Sequence, residues 1–209
     1  MLIEHPPRWY RSLFPKAWWR LPGNEGQKRV FLTFDDGPIP EVTPWVLDLL
    51  RHENIKATFF CVADNVRKYP EVFQQVLAGG HHIGNHTYHH LQGLYCSVNR
   101  YITDALQAKT LLPTPLFRPP HGHMRWMQYR KLQEQFQVVM WDVVTRDYSS
   151  RVTPNQVLHN VERYTQNGSI IVFHDSLKAE KNLRYALPRA INYLKENGYT
   201  FEAIPYLTP

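Results

Sequence analysis

Strand-like and helix-like segments alternate along the chain, and this alternation constrains the fold more than any other feature of the sequence. Segments rich in β-branched and aromatic residues predict seven strands, at 29–34, 57–62, 81–85, 115–118, 137–143, 169–174 and 199–204. Helix-like segments separate them, the first opened by Thr43 and the others at 70–78, 98–112, 124–136, 154–166 and 183–196. Because a helix lies between successive strands, we expect a parallel sheet, either doubly wound or closed into a barrel.

The positions of the polar side chains favour the barrel. Reactive groups directly follow or end the predicted strands, at Asp35, Asp36, His86, His90, Arg118, Asp142, Asp147 and His174. In a parallel barrel the carboxyl ends of all strands meet at one mouth, whereas an open sheet would spread these residues along a wide edge. The sequence therefore predicts an α/β fold, a (β/α) barrel of about seven parallel strands, over residues 26–209.

Residues 1–25 do not follow this alternation and are predicted to form an N-terminal arm. Aromatic and basic side chains are mixed there with prolines, and the apolar centre of a signal peptide is missing. Two interpretations remain open: the arm packs its aromatic residues on the domain, or it makes peripheral contact with a membrane. No apolar run in the sequence reaches the ~18 residues of a transmembrane helix. The expected location is cytoplasmic or membrane-peripheral, in a bacterium.

The composition is that of one ordinary globular domain. The chain has 209 residues, of which 43% are hydrophobic, and its formal net charge is +6. A positive charge favours anionic surfaces in general, and on this charge alone we expect no nucleic-acid partner.

Two short motifs supply the groups of a metal site. Asp35 and Asp36 are adjacent carboxylates at the end of a buried strand, where charge is costly unless a cation compensates it. Adjacent side chains point in different directions, so one carboxylate can bind a metal while the other stays free as a base. His86 and His90 are four residues apart and are expected on one face of a helical turn. Two imidazoles and one carboxylate leave coordination positions open, as a catalytic metal requires.

The motifs resemble those of a known family. The segments TFDDGP (33–38) and HTYHH (86–90) are similar to the first two motifs of the NodB-type polysaccharide deacetylases, carbohydrate esterase family four. The segment RPPHG (118–122) resembles the third motif, and the regions around 141–148 and 172–174 lie where the fourth and fifth would be. The resemblance extends from about residue 29 to residue 206 and includes the order of the motifs. It implies a deformed (β/α) barrel of seven or eight strands.

The resemblance also implies a role for each matching residue. One divalent metal ion is bound by Asp36, His86 and His90; zinc is the ion expected first, with cobalt, nickel or manganese possible. Asp35 is then the general base, held charged and oriented by Arg118, and His174 is the general acid. Substrate-binding positions are Pro120, His121, Gly122, Trp141 and Val172. We expect Ile171, Val172 and Trp141 to line a pocket for the acyl methyl group.

The sequence departs from the family pattern near the fourth motif. Val144 stands where the family usually has an aspartate, four residues before the aromatic Tyr148, that orients the acid histidine. Asp147 or Asp175 is expected to replace it. In the third motif, His121 replaces the usual tyrosine.

The predicted function is metal-dependent hydrolysis of N-acetyl groups from amino sugars of a glycan, such as peptidoglycan or a chitin-like oligomer. Three alternatives remain open: a deformylase or deacetylase of a lipid-linked sugar, an acetylxylan esterase, and a non-catalytic glycan-binding barrel.

Overall fold

The computed structural model describes residues 4–22 and 26–206. The remaining residues of the predicted arm (1–3 and 23–25) and domain (207–209) lie outside the described residues. Within the described part of the chain the strands are β1 (Lys28–Asp35), β2 (Thr58–Cys61), β3 (His82–Asn85), β4 (Leu116–Phe117), β5 (Gln137–Val138), β6 (Val143–Val144), β7 (Ile170–His174) and β8 (Tyr199–Phe201). The helices are α1 (Arg8–Arg11), α2 (Thr43–His52), α3 (Ala63–Lys68), α4 (Pro70–Ala78), α5 (Val98–Ala108), α6 (Trp126–Leu132), α7 (Pro154–Tyr164) and α8 (Glu180–Glu196).

Seven of the strands form one curled parallel sheet in the order β5-β4-β3-β2-β1-β7-β6, and β8 pairs with the first half of β1. Strand β1 is central, and its residues from Val30 to Asp35 are all buried, since helices and loops cover both faces of a parallel sheet. The predicted deformed (β/α) barrel is confirmed.

The predicted fifth strand, 137–143, is wrong as a single element. Its two ends form separate strands at opposite edges of the sheet, because β5 pairs with β4 and β6 pairs with β7. Residues 139–142 cross between these edges. Among the described strands, β5 and β6 are not hydrogen-bonded to each other, so the sheet alone leaves the barrel open here.

The N-terminal arm lies across this gap. The backbone N–H of Trp18 donates to the Val138 carbonyl (2.9 Å), and the Met140 N–H donates to the Trp18 carbonyl (2.7 Å). On the other side, the Leu21 N–H donates to the carbonyl of Gly168 (3.0 Å), just before β7. The arm therefore connects the β5 edge to the segment just before β7.

Side chains of the arm enter the core on the same side. Phe14 and Trp19 are buried, and the Trp19 ring makes an edge contact with Trp141 at 6.1 Å between centroids. Arg11 forms a 2.5 Å ion pair with the buried carboxylate of Asp142, which would be costly to bury without a partner. Most aromatic residues of the arm thus pack on the domain.

The helices differ from prediction mainly at their ends. Thr153 caps α7 as expected, because its hydroxyl accepts the Gln156 N–H (3.3 Å) and Pro154 occupies the first turn. Thr43 does not cap α2; its hydroxyl instead accepts the Ile39 N–H and donates to Asp175. Helix α3 was not predicted, because six residues are too few for a clear helical period. None of the described helices is long and apolar enough to span a membrane.

Candidate metal centre and active site

The carboxyl ends of the strands surround a cavity of about 590 Å³, a size typical of small-molecule sites. Asp35 ends β1 and Asp36 follows it, His86 follows β3, Arg118 follows β4 and His174 ends β7. All of these residues line the cavity. The convergence of reactive groups at one mouth, expected from the barrel fold, is therefore observed.

Asp36, His86 and His90 bring their side chains together at one edge of the cavity. One nitrogen or oxygen from each lies within 4.8 Å of those of the other two. Asp36 Oδ1 is 3.1 Å from His90 Nε2 and 3.7 Å from His86 Nε2. Ligands of a tetrahedral zinc ion lie about 3.4 Å apart, as follows from bonds of roughly 2.1 Å. These three residues form a candidate metal site.

The protonation states of these residues suit a cation. Burial lowers the pKa of His86 to about 4, so its imidazole is neutral at pH 7. Its Nδ1 donates to the Arg118 carbonyl at 2.8 Å, which leaves the lone pair of Nε2 facing Asp36. Burial would raise the pKa of Asp36, but the hydrogen bond with His90 and the charge of His174 lower it below its usual range. One carboxylate and accessible imidazole nitrogens therefore fit a divalent ion.

The loop that carries both histidines is not the helical turn that was predicted. Thr87 and His90 have φ angles of 64° and 55°, and these left-handed residues break any regular helix. His86 and His90 nevertheless meet, because the loop folds back on itself; their ring centroids are 5.1 Å apart. The two candidate ligands lie close together as the four-residue spacing predicted, but the helical geometry inferred from that spacing was wrong.

Two residues outside the motif hold this loop in place. The buried Asp104, on α5, accepts hydrogen bonds from the backbone N–H groups of Tyr88 (3.1 Å) and His89 (3.0 Å) and from His89 Nδ1 (2.9 Å). Asn85 accepts the Thr87 N–H at 2.8 Å and donates to a carbonyl of α5. The left-handed conformations cost of order 1–3 kcal/mol each, and these contacts stabilise them.

Asp35 lines the same cavity and pairs with Arg118. The guanidinium Nη1 donates to Asp35 Oδ1 at 2.7 Å and to Thr33 Oγ1 at 2.7 Å. Nη2 donates to the Met140 carbonyl at 3.0 Å, and the guanidinium lies 4.0 Å from the centroid of the Phe60 ring. Arg118 is fully buried, so it is fixed by its contacts and does not simply cap a loop.

His174 has a carboxylate partner despite the valine at position 144. Asp147 Oδ1 lies 2.8 Å from His174 Nδ1, and its Oδ2 accepts the backbone N–H of His174 at 2.8 Å. Burial would lower the pKa of His174, but the charge and hydrogen bond of Asp147, with the charges of Asp36 and Asp35, raise it to about 9. Asp175, the other candidate, accepts hydrogen bonds from Gly37 N–H and the Thr43 hydroxyl instead.

Comparison with known proteins agrees with this geometry. Residues 22–140 match the family model described as Polysaccharide deacetylase. The chain belongs to the polysaccharide deacetylase family. It is 36% identical to a peptidoglycan-N-acetylglucosamine deacetylase of Bacillus cereus over 90% of this chain and 91% of that protein. It is 28% identical to a chitooligosaccharide deacetylase of Bradyrhizobium sp. over 87% of this chain and 91% of that protein.

A solved structure of a relative extends the similarity to the whole fold. A crystal structure of a peptidoglycan N-acetylglucosamine deacetylase in complex with 4-naphthalen-1-yl-N-oxidanyl-benzamide superposes with a TM-score of 0.85. It shares 31% identity and covers 96% of this chain and 95% of that one. The resemblance inferred from the five motifs is confirmed.

Most of the remaining predicted site residues of this chain belong to the wall of the cavity, and the ring of His121 lies 4.6 Å from that of His90. His121, Gly122, Trp141 and Val172 line the cavity, whereas Pro120 is buried and its neighbour Pro119 takes the lining position. The indole of Trp141 packs so closely against Gly122 that a β-carbon there would lie 2.1 Å from the ring.

Ile171 does not line the pocket, contrary to the prediction. Successive residues of a strand point to opposite faces of the sheet. Ile171 therefore packs in the core beneath the helices, while Val172 faces the cavity. Val144 and Tyr148 also line the cavity and complete its apolar wall.

Two features of the site were not predicted from the sequence: the role of Asp104, and the contact of the N-terminal arm with the back of the cavity wall. Tyr10 donates a hydrogen bond from its hydroxyl to the Gly122 carbonyl at 3.1 Å. Asp104 had a visible signal, because it shares the buried face of α5 with Tyr101, Ala105 and Ala108. A carboxylate in phase with buried apolar residues indicates an internal partner. Tyr10 carried no comparable signal.

Proposed function

We propose that this protein hydrolyses the N-acetyl group of an amino sugar in a glycan, with one divalent ion held by Asp36, His86 and His90. One observation carries the proposal. The three ligand side chains, the Asp35–Arg118 pair and the His174–Asp147 pair all meet at one cavity. The relatives named for peptidoglycan and chitooligosaccharides support amino-sugar polymers as the substrate class.

The ion we expect first is zinc, and cobalt, nickel and manganese also accept two imidazoles and a carboxylate. When bound, such an ion supplies a Lewis acid that makes water more acidic and polarises an acyl oxygen. Every other group that the reaction needs comes from the chain itself.

Asp35 is proposed as the general base. Arg118 occupies one carboxylate oxygen, Oδ1, through a 2.7 Å hydrogen bond. This contact fixes the direction of the carboxylate, so Oδ2 is the atom that takes a proton from the attacking water.

His174 is proposed as the general acid. Its Nδ1 is held by Asp147, so Nε2 is the atom that gives a proton to the departing sugar nitrogen. An amine leaves poorly as an anion, and this proton transfer prevents that. The intact His174–Asp147 pair favours catalysis over the alternative of a non-catalytic glycan-binding barrel.

The apolar wall of the cavity is proposed to receive the acyl methyl group. Trp141, Val144, Tyr148 and Val172 are largely buried and face the cavity. A small apolar pocket suits acetyl or formyl groups, so acetylated xylan and a formylated or acetylated lipid-linked sugar remain as alternative substrates for the same residues.

Acetate release from chitin oligomers and peptidoglycan, with each of the four metals added to the metal-depleted protein, tests this function. Release is expected with at least one metal and is expected to disappear in Asp35→Asn, which keeps the metal ligands. Metal content of the variant must equal that of the wild type, so that loss of activity is assigned to the base. Equal acetate release by Asp35→Asn and the wild type would contradict the proposed mechanism. If acetylated xylan alone is hydrolysed, the proposed amino-sugar substrate is wrong, but the proposed roles of the residues still hold.

A further inference from the structure

Two segments that contact each other near the cavity carry several basic residues and no acidic ones. Residues 5–22 contain four arginines or lysines, and residues 121–133 contain three. Neither segment contains aspartate or glutamate. In a chain with 24 basic and 18 acidic residues, the formal charges within these two segments are therefore all positive, which favours an anionic partner.

The two segments meet at Tyr129, on the buried side of α6. The ring of Phe14 makes an edge contact with that of Tyr129 at 4.9 Å, and the Lys16 backbone N–H donates to the Tyr129 hydroxyl at 3.0 Å. Trp126 lies 5.4 Å from the same ring. The arm and α6 therefore present one joined surface.

The exposed face of α6 carries large apolar side chains next to basic ones. Gln128, Tyr129 and Leu132 are its buried residues. The opposite stripe carries exposed Trp126 (51%) and Met127 (55%) in its first turn, followed by exposed Arg130 and Lys131 in the next. Large apolar side chains stand where a helix of a globular domain usually has polar ones.

The arm repeats this combination beside α6. Trp9 is 64% exposed and Leu13 is 49% exposed, although Tyr10 and Phe14, the residues that follow them, pack on the domain. Exposed Arg8 and Lys16 flank them. We call this region the aromatic-basic surface: Arg8, Trp9, Leu13, Lys16, Trp126, Met127, Arg130 and Lys131. Arg11 is not included because it is paired with Asp142.

We propose that the aromatic-basic surface docks the protein on an anionic lipid bilayer. Exposed tryptophans with leucine and methionine insert at the level of the headgroups, and arginine and lysine around them are attracted by anionic lipids. A purely polyanionic partner would need the positive charges but not four large exposed apolar side chains. The surface adjoins the cavity, because Tyr10, next to Trp9, is bonded to the cavity-lining Gly122.

Vesicle sedimentation tests the docking without any need for hydrolysis. The wild type is expected to sediment with vesicles of phosphatidylcholine and phosphatidylglycerol, and much less with phosphatidylcholine alone. Trp9→Ser/Trp126→Ser should reduce partitioning at least about tenfold, by loss of buried apolar area. Arg130→Gln/Lys131→Gln should reduce it about fivefold for each charge removed, as about 1 kcal/mol per charge predicts.

Matched controls lie elsewhere on the surface. Tyr69→Ser/Leu77→Ser removes two exposed apolar side chains beside or on α4, and Lys181→Gln/Arg189→Gln removes two exposed charges on α8. Both controls should bind as the wild type does. Circular dichroism and thermal melting of all four variants establish that each is folded.

Three results would overturn the proposal. The first is a wild type that does not sediment with anionic vesicles. The second is loss of binding in the controls equal to that in the surface variants. The third is vesicle binding that depends on Arg130 and Lys131 but not on the tryptophans, together with equal binding to soluble polyglutamate. That pattern would identify a site for a soluble polyanion.

Discussion

Replacement of Asp147 by asparagine should remove the negative charge that keeps His174 protonated, while the side chain at position 147 keeps nearly the same shape. Asp147 accepts both the ring Nδ1–H and the backbone N–H of His174. Asparagine has the same size and can still accept one of these hydrogen bonds through its carbonyl. Asp147 is not among the metal ligands, so metal binding should persist.

The magnitude follows from the pKa of His174, which Asp147 and the two active-site aspartates raise from 6.5 to about 9 against the effect of burial. Without the Asp147 carboxylate, that pKa should fall to 6.5 or lower. At pH 7.5 the protonated fraction would then drop from more than about nine-tenths to roughly one-tenth or less. Since the protonated form donates the proton, kcat at pH 7.5 should fall about tenfold or more.

Because Asp147 raises the pKa of His174, the loss of kcat in Asp147→Asn should grow as pH rises. A raised pKa keeps the acid form as pH rises, so the pKa of His174 should lie near 9 in the metal-free wild type, and the alkaline limit of activity of the metal-loaded enzyme should lie below that pH. In Asp147→Asn it should move to about pH 6.5 or lower, and the two enzymes should approach each other near pH 5.5, where both imidazoles are protonated. A bound cation lowers the pKa of His174 in both proteins, so the difference between them is the quantity to measure.

The assay is the pH profile of kcat for acetate release, with metal content measured at each pH. Nuclear magnetic resonance titration of His174 in both metal-free proteins gives the pKa directly, without activity. A ratio of variant to wild-type kcat that does not rise as pH falls would refute the reasoning. So would an unchanged pKa of His174.

Three further predictions concern the residues around the metal. His86→Ala and His90→Ala should each lose the metal and activity but keep the fold; elemental analysis that finds full metal content in both would refute the ligand assignment. Arg118→Met leaves the Asp35 carboxylate buried without its partner and should lower the free energy of unfolding by about 3–5 kcal/mol, measured by urea denaturation. A loss below about 1 kcal/mol would mean that Asp35 finds another partner. Asp104→Ala leaves two loop N–H groups without an acceptor and should weaken metal binding about 10–100-fold, measured by titration calorimetry, whereas unchanged affinity would mean that the loop holds its shape unaided.

The chain order of strands and helices, and the groups at the strand ends, could be predicted from the sequence. Both depend on patterns within a few residues: alternating β-branched runs, apolar helical periods, and polar residues immediately after a strand. The candidate ligands Asp36, His86 and His90 were identified in this way, and the structure brings them together.

The short strands on either side of the gap in the barrel were harder to predict from the sequence. The segment 137–143 has the composition of one strand, but its ends pair with β4 and β7 at opposite edges. Nothing in its residues encodes that division, because it depends on how far the sheet curls. The position of the arm has the same origin, since Trp18 bonds along the β5 edge and Leu21 bonds to the segment just before β7.

The sequence by itself determined which residue types the site contains and that they gather at one mouth, because strand ends are local features and parallel strands share a direction. Only the tertiary structure decided their partnerships. Asp147 and Asp175 were equal candidates for His174, and the turn after β6 brings Asp147 to the imidazole while Asp175, the next residue after His174, points to the opposite side. Asp104 reaches the metal-ligand loop from a helix that begins eight residues after it. Such pairings depend on distances between elements far apart in the chain, which residue patterns do not encode.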